Sequence, residues 1–155
     1  DQMAGAVNLL LEEASVFCCH PFGSYVMQRV LEHATEHQQQ RLVSELERNI
    51  AIIAAASPGC SVLAAALRLR PAADRIRLAR RIAGVPGLLL EIAQVRNGHI
   101  LALLILQSLE GAEKEAVLAI FSSQDEALRT SRFGRLLLDG LQSPEMALGD
   151  EGSAS

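Results

Sequence analysis

The chain contains four glycine-led apolar segments at nearly constant spacing, and this internal repeat constrains the fold more than any other feature. The glycines are Gly23 in FGSYVMQRVL, Gly59 in PGCSVLAAAL, Gly98 in NGHILALLIL and Gly134 in RFGRLLLDGL, and they are 36, 39 and 36 residues apart. We call them the marker glycines, and they define units 1 to 4. A unit of this length cannot bury its apolar surface alone, so neighbouring units stack on one another. The repeat therefore predicts a solenoid.

Each unit is predicted to contain three helices. An apolar middle helix follows the marker glycine, which is expected to allow a tight entry into that helix. A last helix follows, begun by a capping box of Thr35 and Gln38 in unit 1 and by Pro71 in unit 2. A short helix precedes each marker glycine, within residues 12–20, 49–57, 87–96 and 123–131.

The composition favours helices throughout. Half of the residues are hydrophobic and only 3% are aromatic; the apolar residues are mainly Leu and Ala, which are strong helix formers. The predicted fold is all-α, a right-handed α-solenoid (a superhelix) of three-helix units about 36 residues long. We expect residues 1–155 to form a single partial repeat domain with incomplete units at both ends. Residues 1–11 resemble a last helix, Ser143-Pro144-Glu145 opens another helix, and a chain that starts with Asp1 suggests a fragment or a processed product.

Charge and cysteine content narrow the class of protein. The net charge of −4 argues against a general polyanion binder, although it leaves room for a local basic face. The three cysteines include no CxxC pair, which indicates a reducing intracellular compartment. The first residues lack the basic leader of a secretory signal, and the longest apolar run, residues 100–106, is too short to span a bilayer. We find no phosphate loop, no nucleophile elbow and no recurring carboxylate pair, so we expect no enzyme, no cofactor and no small-molecule substrate.

Two groups of residues have the composition of metal sites. His33 and His37 have zinc-like spacing on a continuous helix, but the predicted cap at Thr35 interrupts that helix, so we interpret both as solvent-facing. Cys18 and Cys19 precede His20 without a second cysteine pair, and we interpret them as core residues. No metal site is predicted.

The basic residues of the chain are concentrated in unit 2. This cluster admits two interpretations, contact with phosphate or a solvated helix face, and we favour the second because most of its members belong to the last helix. Its members are Arg68, Arg70, Arg75, Arg77, Arg80 and Arg81.

Unit 1 carries a polar triplet at the start of its middle helix. Ser24 and Gln28 are four residues apart and share a face of the helix, and Tyr25 flanks them. Two hydrogen-bonding groups beside one flat ring can bind the edge of a nucleic-acid base while the ring stacks on the neighbouring base. We call the side chains one, two and five residues after each marker glycine a triplet.

The segment FGSYVMQRVLEHATEHQQQRLVSELERNI resembles the PUF (Pumilio) repeat family of RNA-binding proteins. The period and the three-helix unit agree over nearly the whole chain, whereas the side-chain motif is specific only in unit 1. The resemblance implies that each unit binds one base of single-stranded RNA on its middle helix, that Tyr25 stacks, and that Ser24 and Gln28 bond the Watson–Crick edge of adenine. It further implies binding to messenger 3′ untranslated regions, control of translation or decay, and a cytoplasmic location.

The other triplets depart from the family pattern. In unit 2, Cys60 and Ser61 are candidate contacts, but Ala64 cannot hydrogen-bond and Ser61 is a poor stacking surface. In unit 3, His99 can bond or stack, whereas Leu103 offers only apolar contact.

Unit 4 has a charged triplet. Arg135 can stack on a base or pair with phosphate. Asp139 would repel an RNA backbone but can accept a hydrogen bond from a base amino group, and Leu136 lies between them. All three departures leave base-by-base recognition in units 2 to 4 in question.

A second function fits the same sequence. The acidic balance and the altered triplets also suit a helical-repeat scaffold that binds protein, as armadillo and HEAT arrays do, and regulatory proteins are a partner class for the convex face. An inert, decaying paralogue is a third interpretation.

Overall fold

The structure is a computed structural model that describes residues 2–142, and within that range all of its regular secondary structure is α-helix. The twelve helices are α1 (Gln2–Glu12), α2 (Ala14–Cys18), α3 (Pro21–His33), α4 (Glu36–Arg48), α5 (Ile50–Ala55), α6 (Ser57–Leu69), α7 (Ala72–Gly84), α8 (Leu88–Ala93), α9 (Gly98–Ser108), α10 (Gly111–Ser123), α11 (Asp125–Arg129) and α12 (Arg132–Gln142). The predicted all-α fold is confirmed. The predicted opening of another helix at Ser143-Pro144-Glu145 lies outside the described residues.

The helices stack in rows, one row for each position in the unit. The middle helices α3, α6, α9 and α12 pack consecutively. Of the short helices, α2 packs against α5 and α5 against α8. The last helices form a third row, in which α1 packs against α4 and α4 against α7. The side chains between these rows form one continuous apolar core. Helix α6 lies between α3 and α9 and buries most of its residues, which explains why its sequence, SPGCSVLAAALRL, is apolar on nearly every face.

Local signals begin and end these helices close to the predicted positions. Thr35 forms the predicted capping box with Gln38 and begins α4. Pro71 stands just before the first residue of α7 rather than inside its first turn. The break between α3 and α4 separates His33 from His37, as the cap predicted. His20 caps α3, because its Nδ1 accepts hydrogen bonds from the backbone N–H groups of the second and third helical residues at 3.1 and 3.4 Å.

The marker glycines do not make turns, which corrects the expectation of a tight glycine entry. They lie inside the first turn of their helices, and none has a positive φ. Each instead faces the carbonyl oxygen of the residue six positions earlier, on the short helix. A Cβ on Gly59 would lie 1.9 Å from the Ile53 oxygen, and one on Gly98 would lie 1.9 Å from the Ile92 oxygen. Glycine therefore recurs at these positions because two helix backbones approach each other closely there.

The interpretation of the arginine cluster as a solvated face is wrong for Arg70. Its side chain is only 1% exposed, and its guanidinium bonds both carboxylate oxygens of Glu36, at 2.6 and 3.1 Å, and Oδ2 of Asp74. Arg77 pairs with Glu47 of α4, and Arg80 pairs with Glu113 of α10 at 2.8 Å. These residues join the last helices of consecutive units and are not available as a free cationic face.

Candidate nucleic-acid interface

The four triplets occupy equivalent positions on consecutive middle helices. They lie in the first two turns of α3, α6, α9 and α12, and these helices pack side by side in that order. Helical geometry places the first and third members of a triplet on one face and the second beside them. The side chains nevertheless differ greatly in exposure from unit to unit.

In unit 1 the serine is held in one orientation. Ser24 is 5% exposed, and its Oγ donates a hydrogen bond to the Pro21 carbonyl oxygen at 2.9 Å. A hydroxyl has one donor hydrogen and two acceptor lone pairs. In this conformation Ser24 therefore offers an acceptor and no donor to a neighbouring group.

Tyr25 is exposed and is positioned by Arg29, one turn further along α3. The residue is 57% exposed. The Arg29 guanidinium lies over the ring, with Cζ 5.0 Å from the centroid, and its Nη2 donates to the tyrosine hydroxyl at 2.6 Å. Glu32 holds the same guanidinium through Nη1 at 3.0 Å. These contacts fix the orientation of the only tyrosine in the chain.

Gln28 completes the unit 1 triplet with an unused amide. The residue is half-buried, and within residues 2–142 its side chain makes no hydrogen bond to another protein group. An amide has a carbonyl acceptor and two N–H donors. It can therefore satisfy a ligand that presents one donor and one acceptor side by side.

In unit 2 most of the triplet is buried. Cys60 is fully buried, its Sγ donates to the Ala54 carbonyl oxygen at 3.1 Å, and burial raises the pKa of its thiol to about 12. Ala64 is 3% exposed. Ser61 is the one member with appreciable surface, so unit 2 presents a single hydroxyl.

In unit 3 the histidine is already stacked on a ring from the next unit. The rings of His99 and Phe133 are 5.4 Å apart, centroid to centroid, and inclined by 24°. Burial lowers the pKa of His99, which favours the neutral imidazole. Ile100 and Leu103 are half-buried and complete an apolar triplet. The protein thus fills one face of His99 with its own aromatic ring.

Unit 4 presents an exposed, charged triplet. Arg135 is exposed, and its Nη1 donates to the Arg129 carbonyl oxygen at 3.0 Å. Leu136 is 42% exposed and Asp139 is also exposed. Arg135 and Asp139 are one helical turn apart, but no ion pair joins them within the described part of the chain.

Two residues next to the triplets were not singled out from the sequence. Arg29 lies four residues after Tyr25, a spacing that places both on one face of a helix, so its contact could have been predicted. Phe133 reaches His99 from a different unit, and no local spacing indicates that contact.

The described residues offer neither a metal site nor a membrane-spanning helix. No group of three or more His, Cys, Asp or Glu side chains between residues 2 and 142 is arranged to hold a metal ion. Cys18 is buried in the core, as we expected for this pair, whereas Cys19 is only half-buried. None of the helices described combines the length and the apolar character needed to cross a membrane.

Comparison with known proteins agrees with this architecture. Residues 16–47 match the Pumilio-family RNA binding repeat (PUF). Among solved structures, the chain is similar to the Puf3 RNA-binding domain bound to the Cox17 RNA 3′ UTR recognition sequence site A, with a TM-score of 0.69 and 23% identity. The match covers 90% of this chain and 41% of the Puf3 chain, so this chain spans about two fifths of that structure's length. No curated protein matches the chain.

The protein is therefore an α-solenoid with the fold of a Pumilio-repeat domain. It contains a PUF-family repeat at residues 16–47, which confirms the resemblance in the segment where the triplet motif was specific.

Proposed function

We propose that this chain binds single-stranded RNA and that unit 1 holds one adenine base. The observation that carries the proposal is the Gln28 amide, which makes no hydrogen bond within residues 2–142, beside the exposed Tyr25, in the segment that matches a Pumilio-family RNA binding repeat. The Puf3 domain with the same fold is bound to RNA. Binding, rather than catalysis, is the activity that follows.

The chemistry of the unit 1 triplet suits adenine. The Watson–Crick edge of adenine presents an amino donor next to a ring-nitrogen acceptor, and the Gln28 amide can answer both groups. Ser24, whose only donor hydrogen is occupied, can add a second acceptor for the amino group. Tyr25, held by Arg29, supplies the stacking surface.

The energy available from one unit is small. Stacking contributes about 1–3 kcal/mol per base, and a total of about 4.1 kcal/mol corresponds to a Kd of about 1 mM. Units 2 to 4 therefore contribute through Ser61, the His99 ring, Arg135 and Asp139, or further units outside this chain supply additional affinity.

We propose the 3′ untranslated region of messenger RNA as the target, control of translation or decay as the outcome and the cytoplasm as the location. This proposal is based on the resemblance and on the RNA bound by the Puf3 domain.

The experiment is an NMR titration of the ¹⁵N-labelled chain with short single-stranded RNAs that differ at one base. We expect adenine to be preferred, and we expect the double variant Tyr25→Ala, Gln28→Ala to lose at least about tenfold in affinity, the equivalent of 1.4 kcal/mol. Gln28→Glu should shift the preference from adenine towards guanine, because a carboxylate accepts from both N–H groups of the guanine edge and donates nothing. If the wild type and these variants bind all the RNAs equally, base recognition by unit 1 is wrong.

A protein-binding scaffold is the second candidate, and the burial of the unit 2 triplet favours it. Cys60 is fully buried and Ala64 has no hydrogen-bonding side chain, so the second unit recognises no base edge beyond what Ser61 can bond. A scaffold should retain its protein partner in the Tyr25→Ala, Gln28→Ala variant, whereas an RNA-dependent association should disappear in that variant and after ribonuclease treatment.

A further inference from the structure

Three arginines of unit 4 surround one cavity at the start of α12. Arg129 at the end of α11 and Arg132 and Arg135 in the first turn of α12 line a cavity of about 250 Å³, together with Leu136, Leu138 and Asp139. The charged lining thus consists of three guanidinium groups and one carboxylate. Of the three arginines, only Arg135 was singled out from the sequence.

One nearby carboxylate, Asp125, pairs with Arg129, whereas Asp139 lines the cavity and forms no ion pair within residues 2–142. Asp125 accepts from Arg129 Nε at 2.5 Å, and this hydrogen bond is the main cause that raises the pKa of Arg129, with a smaller contribution from the charge of Asp139. Neither Arg132 nor Arg135 makes an ion pair within residues 2–142. Two of the three positive charges therefore have no carboxylate partner among the described residues.

Other contacts hold these two arginines in place without neutralising them. Arg135 Nη1 donates to the Arg129 carbonyl oxygen at 3.0 Å, which leaves its other N–H groups for a ligand. The Arg132 guanidinium lies over the Phe133 ring, with Cζ 5.9 Å from the centroid. The first turn of α12 contains no acidic residue, so the positive end of its helix dipole adds to the same field.

The cluster is continuous with the row of triplets. Arg135 is the first member of the unit 4 triplet, and Phe133, which Arg132 covers, stacks on His99 of the unit 3 triplet. A strand of RNA that follows the middle helices from unit 1 would bring its backbone to this point. Guanidinium groups bind phosphate oxygens in a planar, often bidentate geometry.

We propose that Arg132 and Arg135, supported by Arg129, bind a phosphodiester group of the RNA, so that unit 4 contacts the backbone where the repeat pattern would place a base contact. This proposal rests on the proposed function. It assigns unit 4 a contribution to affinity that is independent of base identity, whereas unit 1 supplies the selectivity.

The test compares RNA binding by three double variants over a range of salt concentrations. Arg132→Ala with Arg135→Ala should weaken binding about tenfold for every RNA sequence. The slope of log K against log salt should become less steep by about 0.7 for each phosphate that the protein no longer neutralises, the value for single strands. The preference for adenine should not change.

Two matched variants control for charge. Arg41→Ala with Arg48→Ala removes the same two positive charges from α4, where Arg48 pairs with Glu45, and should leave the affinity within about twofold. Arg132→Lys with Arg135→Lys keeps the charge without the planar fork, and should fall between the wild type and the alanine variant. Thermal unfolding by circular dichroism checks that every variant is folded.

The outcomes separate this proposal from the function on which it rests. If the wild type binds RNA with a preference for adenine but the Arg132→Ala, Arg135→Ala variant has the same affinity and salt slope, the phosphate site is wrong and the function stands. A wild type that binds no RNA overturns both. If the variant keeps its RNA affinity but no longer binds vesicles of acidic phospholipid, the cluster serves a membrane surface and the proposal is overturned.

Discussion

Replacing Gly59 by alanine tests the reason for the repeat most directly. The glycine lies in the first turn of α6, where the backbone of α5 passes close by. An added Cβ would lie 1.9 Å from the Ile53 carbonyl oxygen and 2.7 Å from its carbonyl carbon. Ordinary contact begins near 3.4 Å, so the two helix backbones would have to separate by about 1.5 Å.

The expected cost follows from two opposing effects. Overpacking of a well-packed core costs about 1–3 kcal/mol and occasionally more, and this case belongs at the upper end because the obstacle is backbone and Ile53 is fully buried. Alanine in place of glycine inside a helix recovers about 0.5–1 kcal/mol. The net loss of stability should be about 2 kcal/mol, which lowers Tm by roughly 4–8 °C for a chain of this size.

Thermal and urea unfolding, followed by circular dichroism, measure this loss of stability. The control is Gly84→Ala at the end of α7, where an added Cβ meets nothing within 4 Å and φ is not positive. There the same substitution should stabilise the protein by about 0.5–1 kcal/mol. Gly23→Ala should be less damaging than Gly59→Ala, because its Cβ would lie 2.4 Å from the nearest oxygen.

A Gly59→Ala variant that is as stable as the wild type, or that gains stability as Gly84→Ala does, would refute this explanation of the repeat. Either result would mean that α5 can move away from α6 at no cost, and that the repeated glycine has another cause.

Two further predictions concern buried polar groups. Arg70→Met should destabilise the chain by about 3 kcal/mol in urea unfolding, because it leaves the buried carboxylate of Asp74 without its main partner. Adding Asp74→Leu should restore most of that stability. A double variant no more stable than Arg70→Met would contradict the buried ion pair. A thiol reagent at pH 8 should label Cys19 in the folded protein and Cys18 and Cys60 only after denaturation, because burial raises the pKa of the latter two to about 12. Equal labelling of all three thiols in the native state would argue against their burial.

Much of the fold could be predicted because its signals are local. The spacing of the marker glycines indicated the length of the unit, and the periodicity of apolar residues indicated which segments are helical. The capping box of Thr35 and Gln38 places the start of α4 within four residues of sequence. The grouping of the unit 1 triplet could be predicted in the same way, because a single helix fixes the relative positions of its members.

The correction at Arg70 depends on a residue 34 positions away. The correction at the marker glycines depends on a carbonyl oxygen only six positions earlier, but on a different helix. Arg70 belongs to an arginine-rich segment that has the composition of a solvated face, and only the packing of α4 against α7 surrounds it with Glu36 and Asp74. The stack of Phe133 on His99 likewise joins two units.

By itself, the sequence determined the helical class, the repeat and the positions of the unit 1 triplet on one helix, because backbone hydrogen bonding and side-chain periodicity are set within a few residues. The tertiary structure decided which triplet members are accessible, which arginines are paired and why the marker positions must be glycine. Each of these depends on what another helix brings within a few ångströms, and that distance is set by how the helices pack and not by the periodicity of any one helix.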